Sequence, residues 1–292
     1  MIPLKPDNLM PVKKYLPIIF LVIIVLVITF YQSFSEKKQP LVVLQQTATP
    51  ISSPTSTPTP KPLTFAQMNA LYGPCVFLPT LMYHHVQDPK VAADKKQTSL
   101  TVDTDYFRQQ MQYLKDKGYK TATFNGLVDF FNSGTKIAAK SILITFDDGY
   151  DDYYLNALPI LREMGFTASV FVPTGLMNNP GYLSWDQIGS AAGQGTFFAN
   201  HTWSHKNVKI AQDLLIREIT TADTQLSEKG LNNPKVFAYP YGFSSSNAEK
   251  LLTQLGYQLA FTTSPGSTLC KAKHFDLPRV RIGNGVVSRY GF

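Results

Sequence analysis

The sequence is poor in cysteine and lacks the short motifs that commonly bind cofactors. Its 292 residues include two cysteines, Cys75 and Cys270, and no C-x-x-C pair, which excludes the usual zinc-ribbon and dithiol redox sites. No Gly-rich loop of the dinucleotide or P-loop kind is present, so no nucleotide is expected as a partner. Outside the cytoplasm the two cysteines could pair, and two buried thiols are the alternative.

Charged residues are also scarce, at 16% of the chain. Of 27 Lys and Arg and 20 Asp and Glu, 6 and 2 lie within residues 1–63, which leaves 21 against 18, a net charge of +3, for the rest. More than half of the overall +7 therefore belongs to the amino-terminal region. This balance gives no indication of a nucleic-acid partner.

One stretch, residues 15–35, lacks charge entirely. As a helix its 21 residues would extend about 31 Å, enough to cross a bilayer. A cleaved signal peptide usually has a shorter apolar core, so we expect a transmembrane anchor that follows a short cytoplasmic tail at 1–14. Three lysines precede the span and two follow it, which favours a cytoplasmic amino terminus and an extracytoplasmic main domain.

Residues 36–71 are predicted to form a linker that is rich in Pro, Thr and Ser at 47–63. Five prolines in this stretch prevent regular helix and sheet. In polyproline II conformation the stretch would extend on the order of 50 Å. It is typical of a stalk that lets a membrane-anchored domain reach a polymer outside the cell.

From residue 72 to 292, short apolar runs alternate with amphipathic segments. One predicted helix, at 213–229, carries Leu215, Ile219, Ala222 and Leu226 as an apolar stripe. Alternation of helices with about seven strands predicts a parallel α/β fold, either an open sheet or a barrel. The predicted strands are 79–86, 121–124, 141–146, 168–172, 196–200, 236–239 and 259–263.

The strand predicted at 141–146 ends in two adjacent carboxylates. Asp147, Asp148 and Gly149 follow it directly, and the glycine permits a tight turn. Side chains at the carboxyl ends of parallel strands are where α/β proteins place their reactive groups. The alternative is that the Asp-Asp-Gly turn only caps the next helix.

Two histidines follow another predicted strand at a spacing that suits metal binding. His201 and His205 are separated by three residues, so in a helical or tight turn their side chains can point the same way. Alone, they could equally be surface or core histidines. Together with Asp148 they supply two imidazoles and one carboxylate, and three protein ligands leave room for water and substrate.

Three motifs occur in a familiar order: 145–150 (TFDDGY), 201–205 (HTWSH) and 239–242 (YPYG). In this order they resemble the polysaccharide deacetylases of carbohydrate esterase family 4. The stretches 82–86 (MYHHV) and 183–186 (LSWD) are similar to the branch that acts on poly-N-acetylglucosamine exopolysaccharide. The resemblance extends over residues 79–282.

The resemblance implies a distorted (β/α) barrel with a divalent metal, most often zinc, bound by Asp148, His201 and His205. It also implies that Asp147 is the general base that deprotonates the attacking water. The physical chemistry agrees, because a metal lowers the pKa of water towards about 7 and a neighbouring carboxylate can complete the deprotonation.

The resemblance also implies that two aromatic residues take part in substrate binding. The backbone N–H of Tyr241 would stabilise the oxyanion that forms at the acetyl group. The side chains of Tyr241 and Trp185 would line a sugar groove, although aromatic residues at strand ends more often belong to the core. The implied partner is an acetylated amino-sugar polymer of the cell wall or the extracellular space, from which the protein would remove acetyl groups.

The sequence departs from the family pattern at the third motif. The family usually carries an arginine that orients the catalytic base, and Ala238 stands at that position. Arg279 and Arg281 are the candidates to hold Asp147 in its place.

The sequence also lacks the closing Leu-x-His motif, which supplies the general acid in the family. His84, His85 and His274 are the candidates for this role. His84 and His85 adjoin at the end of the first predicted strand, where alternation sends them to opposite faces. The similarity of the YHxV stretch selects His84; the alternative is that His84 only bonds to the core backbone.

Three other functions compete with N-deacetylation. A 2-His-1-carboxylate set also describes non-haem iron oxygenases, but those usually place the carboxylate close to a histidine on an all-β scaffold. An O-acetyl esterase would use the same groups on another polysaccharide. A wall-binding module that has lost its chemistry would keep the groove but has no need of Asp147.

Overall fold

The computed structural model describes residues 62–291, together with 24 and 26–28. The chain divides into two units, Met1–Pro60 and Lys61–Phe292. In the first unit the four described residues are helical, and the rest of the predicted anchor at 15–35 lies outside the described residues. The predicted linker at 36–71 lies outside them as far as residue 61. Its last residues are not a linker, because Phe65–Tyr72 form a helix that Thr64 caps by accepting a hydrogen bond from the Gln67 N–H. Among the residues described, no helix combines the length and the apolar composition that crossing a membrane requires.

Twelve strands and eight α-helices make up the described part of the second unit. The strands are β1 Cys75–Phe77, β2 Thr80–Tyr83, β3 His85–Val86, β4 Thr101–Val102, β5 Lys120–Thr121, β6 Ser141–Phe146, β7 Ser169–Val172, β8 Phe197–Asn200, β9 Val236–Ala238, β10 Leu259–Pro265, β11 Thr268–Cys270 and β12 Leu277–Arg281. The helices are α1 Phe65–Tyr72, α2 Pro89–Asp94, α3 Thr104–Asp116, α4 Phe124–Ser133, α5 Leu158–Met164, α6 Trp185–Ala192, α7 Gln212–Ser227 and α8 Ser246–Gln254.

Seven parallel strands close into a barrel. Their order is β2-β12-β10-β9-β8-β7-β6, and β6 pairs again with β2 to complete the ring. The fold is therefore the (β/α) barrel that the sequence predicts. It is distorted at β6, whose first two residues pair with β5 and whose last two pair with β7.

The barrel interior is filled by one side chain from each of several neighbouring strands. Leu143, Phe171, Ala199 and Phe261 belong to one buried cluster. Phe124, the first residue of α4, joins them with its ring centroid 5.3 Å from that of Phe261. The barrel interior is thus a packed core, so reactive side chains are expected at the ends of the strands.

The strand predicted at 121–124 is wrong in its bounds, because the strand found there, β5, ends at Thr121 and pairs only with β6, outside the ring. Residues 121–124 are expected to form a strand, but Phe124 starts α4, which Thr123 caps by accepting a hydrogen bond from the Gly126 N–H. The seventh barrel position belongs to β12, which pairs with β2 and β10. Pro278 and two arginines conceal β12 in the sequence, because proline and charge are unusual in central strands.

The two cysteines form a disulfide. Cys75 in β1 is bonded to Cys270 in β11, and the two strands pair antiparallel. The bond therefore connects the start of the domain to β11, the strand that precedes β12 in the chain.

Candidate metal centre

The predicted site residues gather at the carboxyl ends of three barrel strands. Asp147 and Asp148 follow β6, His201 follows β8, and Tyr241 lies three residues beyond β9. Asp148 has a φ of 69° and Gly149 a φ of 66°, so a sharp turn follows the strand. This turn lets the two adjacent carboxylates face different partners.

Asp148, His201 and His205 come together as a group that could hold a metal ion. One donor atom from each lies within 4.8 Å of the others. Asp148 Oδ1 is 3.3 Å from His201 Nε2 and 3.0 Å from His205 Nε2. Burial acts to raise the pKa of Asp148, but its bonds to the two histidines hold this pKa well below the ordinary value. Two imidazoles and one carboxylate are a common donor set of catalytic zinc sites.

A contact with the backbone fixes the tautomer of His201. Its Nδ1 lies 2.8 Å from the carbonyl oxygen of Ala238. A carbonyl can only accept a hydrogen bond, so Nδ1 carries a proton, and Nε2 is the ring atom left to ligate a metal. Ala238, which replaces the arginine of the family motif, thus contributes through its backbone.

Asp147 is held by Arg279, which comes from β12. Arg279 Nη1 and Nη2 donate to the two carboxylate oxygens of Asp147, each at 2.6 Å. Arg279 is fully buried, at 0% exposure, and its Nε also donates to the carbonyl of Thr262 at 2.9 Å. Arg281, the other candidate, lies at the surface and donates to the Ser99 carbonyl.

The Arg279 pair determines the charge of Asp147. Burial acts to raise the pKa of Asp147, but the guanidinium charge and its hydrogen bonds, with smaller contributions from His201 and His84, hold this pKa below the ordinary value. Asp147 is therefore a carboxylate at neutral pH, beside the three candidate ligands and not among them.

The two adjacent histidines, His84 and His85, have different surroundings, as the alternation of side chains along a strand predicts. His84 occupies the break between β2 and β3, and Asp147 and Asp148 both act on its charge; burial outweighs them and lowers the pKa of His84. His85 is buried on the other side, where it bonds to Asp152 and stacks on Tyr150 at 3.7 Å between ring centroids. His274 precedes β12 and so lies at the opposite end of the barrel.

Comparison with known proteins identifies the family. The polysaccharide deacetylase family matches residues 134–260. The Streptococcus pyogenes deacetylase PplD, whose structure contains acetate, is 30% identical over 71% of this chain and 92% of its own, with a TM-score of 0.64. This chain belongs to the polysaccharide deacetylase family.

Two curated deacetylases with a named substrate are also similar. The poly-β-1,6-N-acetyl-D-glucosamine N-deacetylase of Staphylococcus epidermidis is 25% identical over 70% of this chain and 78% of its own. The Escherichia coli enzyme of the same name is 28% identical over 70% of this chain, but the match spans only 36% of that longer protein.

The two aromatic residues expected at the substrate groove of this deacetylase occupy different surroundings. The Tyr241 ring lies 4.9 Å from that of His205, and the residue is 60% exposed. Trp185 begins α6, packs against the main core and carries Lys229 Nζ 4.6 Å above its ring. Tyr241 therefore borders the candidate metal centre directly.

One residue beside the candidate site, Asp152, lies outside the motifs that the sequence analysis used. Asp152 accepts hydrogen bonds from both His85 and the Val86 backbone N–H, and Tyr150 lies against His85. These contacts fix the position of His85 and Val86, which directly follow His84. A carboxylate five residues after Asp147 is the signal that the sequence offers for it.

Proposed function

We propose that this deacetylase is a metal-dependent hydrolase that removes acetyl groups from an N-acetylglucosamine-containing polysaccharide outside the cytoplasm. The observation that carries the proposal is a buried, ionised Asp147 directly beside the three-ligand group. A structural metal site would have no need of an ionised carboxylate beside it that ligates nothing.

The residues present fit a divalent cation, with zinc as the favoured metal. His201 presents the lone pair of Nε2 because its Nδ1 donates to Ala238. The Nε2 atom of His205 and a carboxylate oxygen of Asp148 complete the set. A metal held by these groups would lower the pKa of a water molecule and polarise the acetyl carbonyl.

Asp147 is the general base. Arg279 occupies one lone pair on each carboxylate oxygen of Asp147, and each oxygen retains another that can accept the proton of the attacking water. The same contacts fix the orientation of the carboxylate. Asp148 thus serves as the metal ligand and Asp147 as the base.

Tyr241 is assigned to the oxyanion. Its backbone has φ 62° and ψ 3°, a left-handed conformation that is uncommon in residues other than glycine. Strain of this kind concentrates at functional sites. We assign its N–H to the oxygen that becomes negative when the acetyl carbonyl is attacked.

His84 is assigned as the general acid that protonates the leaving amine. Its electrostatic interaction with Asp147 and Asp148 supports the assignment. His85 is engaged by Asp152, and His274 lies at the other end of the barrel, where it bonds to the Lys271 carbonyl.

The substrate is assigned as an acetylated amino-sugar polymer. Similarity to two poly-β-1,6-N-acetyl-D-glucosamine N-deacetylases supports this class. The exposed Tyr241 ring beside His205 offers a face on which a sugar can stack, and Trp185 is kept as a second, outer contact. An O-acetyl esterase would release acetate from acetylated xylan instead, and a non-catalytic module would release none.

The location is assigned from the sequence and the disulfide. A transmembrane anchor at 15–35 and a stalk at 47–63 would hold the catalytic domain outside the cytoplasm. The Cys75–Cys270 bond supports this assignment, because stable disulfides form mainly in oxidising compartments.

The test is acetate release by the full chain from poly-N-acetylglucosamine, peptidoglycan, chitin oligomers and acetylated xylan. We expect release from at least one amino-sugar polymer, abolition by a chelator and recovery with zinc or cobalt. Asp147→Asn should lose turnover and keep its metal, whereas Asp148→Ala should lose both. Full activity in a verified metal-free preparation would overturn the proposal, and release from xylan alone would favour the esterase.

A further inference from the structure

A buried carboxylate that the proposed mechanism does not use contacts the loop at 201–205, which carries two of the three candidate metal ligands. Glu218 lies in the middle of α7 and is 2% exposed. Its Oε2 accepts a hydrogen bond from the Ser204 backbone N–H at 2.8 Å, and its Oε1 accepts one from the Ser204 hydroxyl at 2.6 Å. Both oxygens are thus used on the residue that immediately precedes His205.

The loop needs external support because its backbone is not in a regular conformation. Thr202 and His205 have φ values of 67° and 60°. For a β-branched residue such as Thr202 a left-handed conformation is a true outlier that the backbone resists. The surrounding contacts must hold the loop in place.

These contacts follow one another along the loop. The Thr202 N–H donates to the Asn200 side chain at 2.7 Å. The Trp203 carbonyl accepts from the Gly175 N–H at 2.7 Å. Ser204 is held by Glu218. Within residues 62–291 no hydrogen bond reaches Nδ1 of His205, so Glu218 provides the last support before this ligand.

The two histidines therefore differ in how they are oriented. His201 is fixed through its own ring by the Ala238 carbonyl and is 2% exposed in its side chain. The His205 side chain is 22% exposed and depends on the position of its backbone. A contact that fixes Ser204 acts directly on that backbone.

We propose that Glu218 is a positioning residue that sets His205 for metal binding through Ser204. The inference rests on the proposed function, because it takes the Asp148–His201–His205 group to be the metal site. Interactions behind metal ligands are commonly worth 10–100-fold in metal affinity. The position of Glu218 is itself a signal, because it interrupts the apolar face that Leu215, Ile219 and Ala222 form along α7.

The test measures zinc affinity of the full chain by competition with a chromophoric chelator. We expect Glu218→Ala to bind zinc roughly 10–100-fold more weakly than the wild type. Glu218→Gln should retain more affinity, because an amide can accept from the Ser204 N–H and donate to the hydroxyl. Glu228→Gln, at the exposed end of the same helix, is the control and should bind as the wild type does.

A double-mutant cycle separates positioning from a general loss of stability. Ser204→Ala removes the hydroxyl contact, and its effect on zinc affinity should not add to that of Glu218→Ala, because both act through one contact. The thermal midpoints of the metal-free variants show how much each has lost in fold. Unchanged zinc affinity in Glu218→Ala, or additive effects in the cycle, would overturn the inference. Absence of zinc binding by the wild type would instead contradict the proposed function.

Discussion

At the scale of single residues, the charge of Asp147 depends on one guanidinium. Burial alone would favour the neutral carboxyl, and Arg279 reverses that preference by two hydrogen bonds of 2.6 Å. A bidentate Arg–carboxylate pair fixes geometry as well as charge. Arg279 therefore sets both the protonation state and the orientation of the proposed base.

Arg279→Met should raise the pKa of Asp147, because the largest contribution that opposes burial is then lost. The acid limb of the kcat/KM profile should move to higher pH, with a loss of roughly 10²-fold at neutral pH from the misplaced base. Arg279→Lys keeps the charge and should show a smaller shift. Arg281→Lys, which alters an exposed contact to Ser99, should leave the profile unchanged; an unchanged acid limb in Arg279→Met would contradict this account.

The same pair links stability to pH. The folded-state pKa of Asp147 lies below its unfolded value, so the pair stabilises the fold above the unfolded pKa and loses this contribution as the pH falls through the folded pKa. We expect the free energy of unfolding to fall in acid for the wild type. Arg279→Met should remove part of that dependence.

The proposed acid is tested by three matched substitutions. His84→Gln should reduce turnover by roughly 10²–10⁴-fold with metal content unchanged, because the leaving amine then lacks a positioned proton donor. His274→Gln lies at the far end of the barrel and should remain active. His85→Gln should lose some stability through its contacts to Asp152 and Tyr150. A dead His274→Gln with a normal His84→Gln would refute the assignment.

At the scale of elements, the turn after β9 depends on close contact with β10. Gly242 has a φ of 79°, and a Cβ at this position would overlap the side chain of Thr263. The turn therefore brings Tyr241 and its N–H close to the end of β10 only because Gly242 has no side chain.

Gly242→Ala should displace Tyr241 and lower turnover, with a stability cost of at least about 1–3 kcal/mol from backbone strain alone. Gly256→Ala is the matched control, because Gly256 has the same φ of 79° and no atom lies within 4 Å of the position that a Cβ would take there. The difference between the two variants in urea unfolding and in acetate release isolates the effect of the overlap. Equal behaviour would show that the contact with Thr263 has no influence on the site.

The elements also show how far the sequence could predict the structure. Residues 141–146 and 196–200 were recognisable because their apolar runs end in chemically distinctive residues, and both form barrel strands within one residue of the predicted bounds. The strand β12 was not recognisable, because its arginines suggested a surface segment. A charged residue can occupy a barrel interior when a partner from another strand neutralises it, and the sequence does not reveal that pairing. For the same reason, Arg279 and Arg281 remained equal candidates until the fold separated them.

At the scale of the whole molecule, the disulfide closes a loop of 195 residues. It therefore restricts nearly the whole domain in the unfolded state. The candidate metal centre lies at the carboxyl ends of β6 and β8, and neither cysteine belongs to those strands. The bond should contribute to stability more than to catalysis.

Replacing both cysteines by serine should lower the free energy of unfolding by about 2–5 kcal/mol. Zinc affinity and turnover should stay near wild-type values at temperatures where the variant remains folded. Urea unfolding followed by acetate release on the folded fraction checks both points. A variant that is fully stable yet inactive would indicate that the bond supports the site directly.

The contact between Asp147 and Arg279 spans 132 positions of the sequence. The proposed base is therefore synthesised long before the residue that ionises it, and β12 is the last barrel strand along the chain. A nascent or truncated chain that ends before residue 279 holds Asp148, His201 and His205 but has an unsupported base. We therefore expect a chain that ends before residue 279 to hydrolyse acetylated polymers far more slowly than the full chain does.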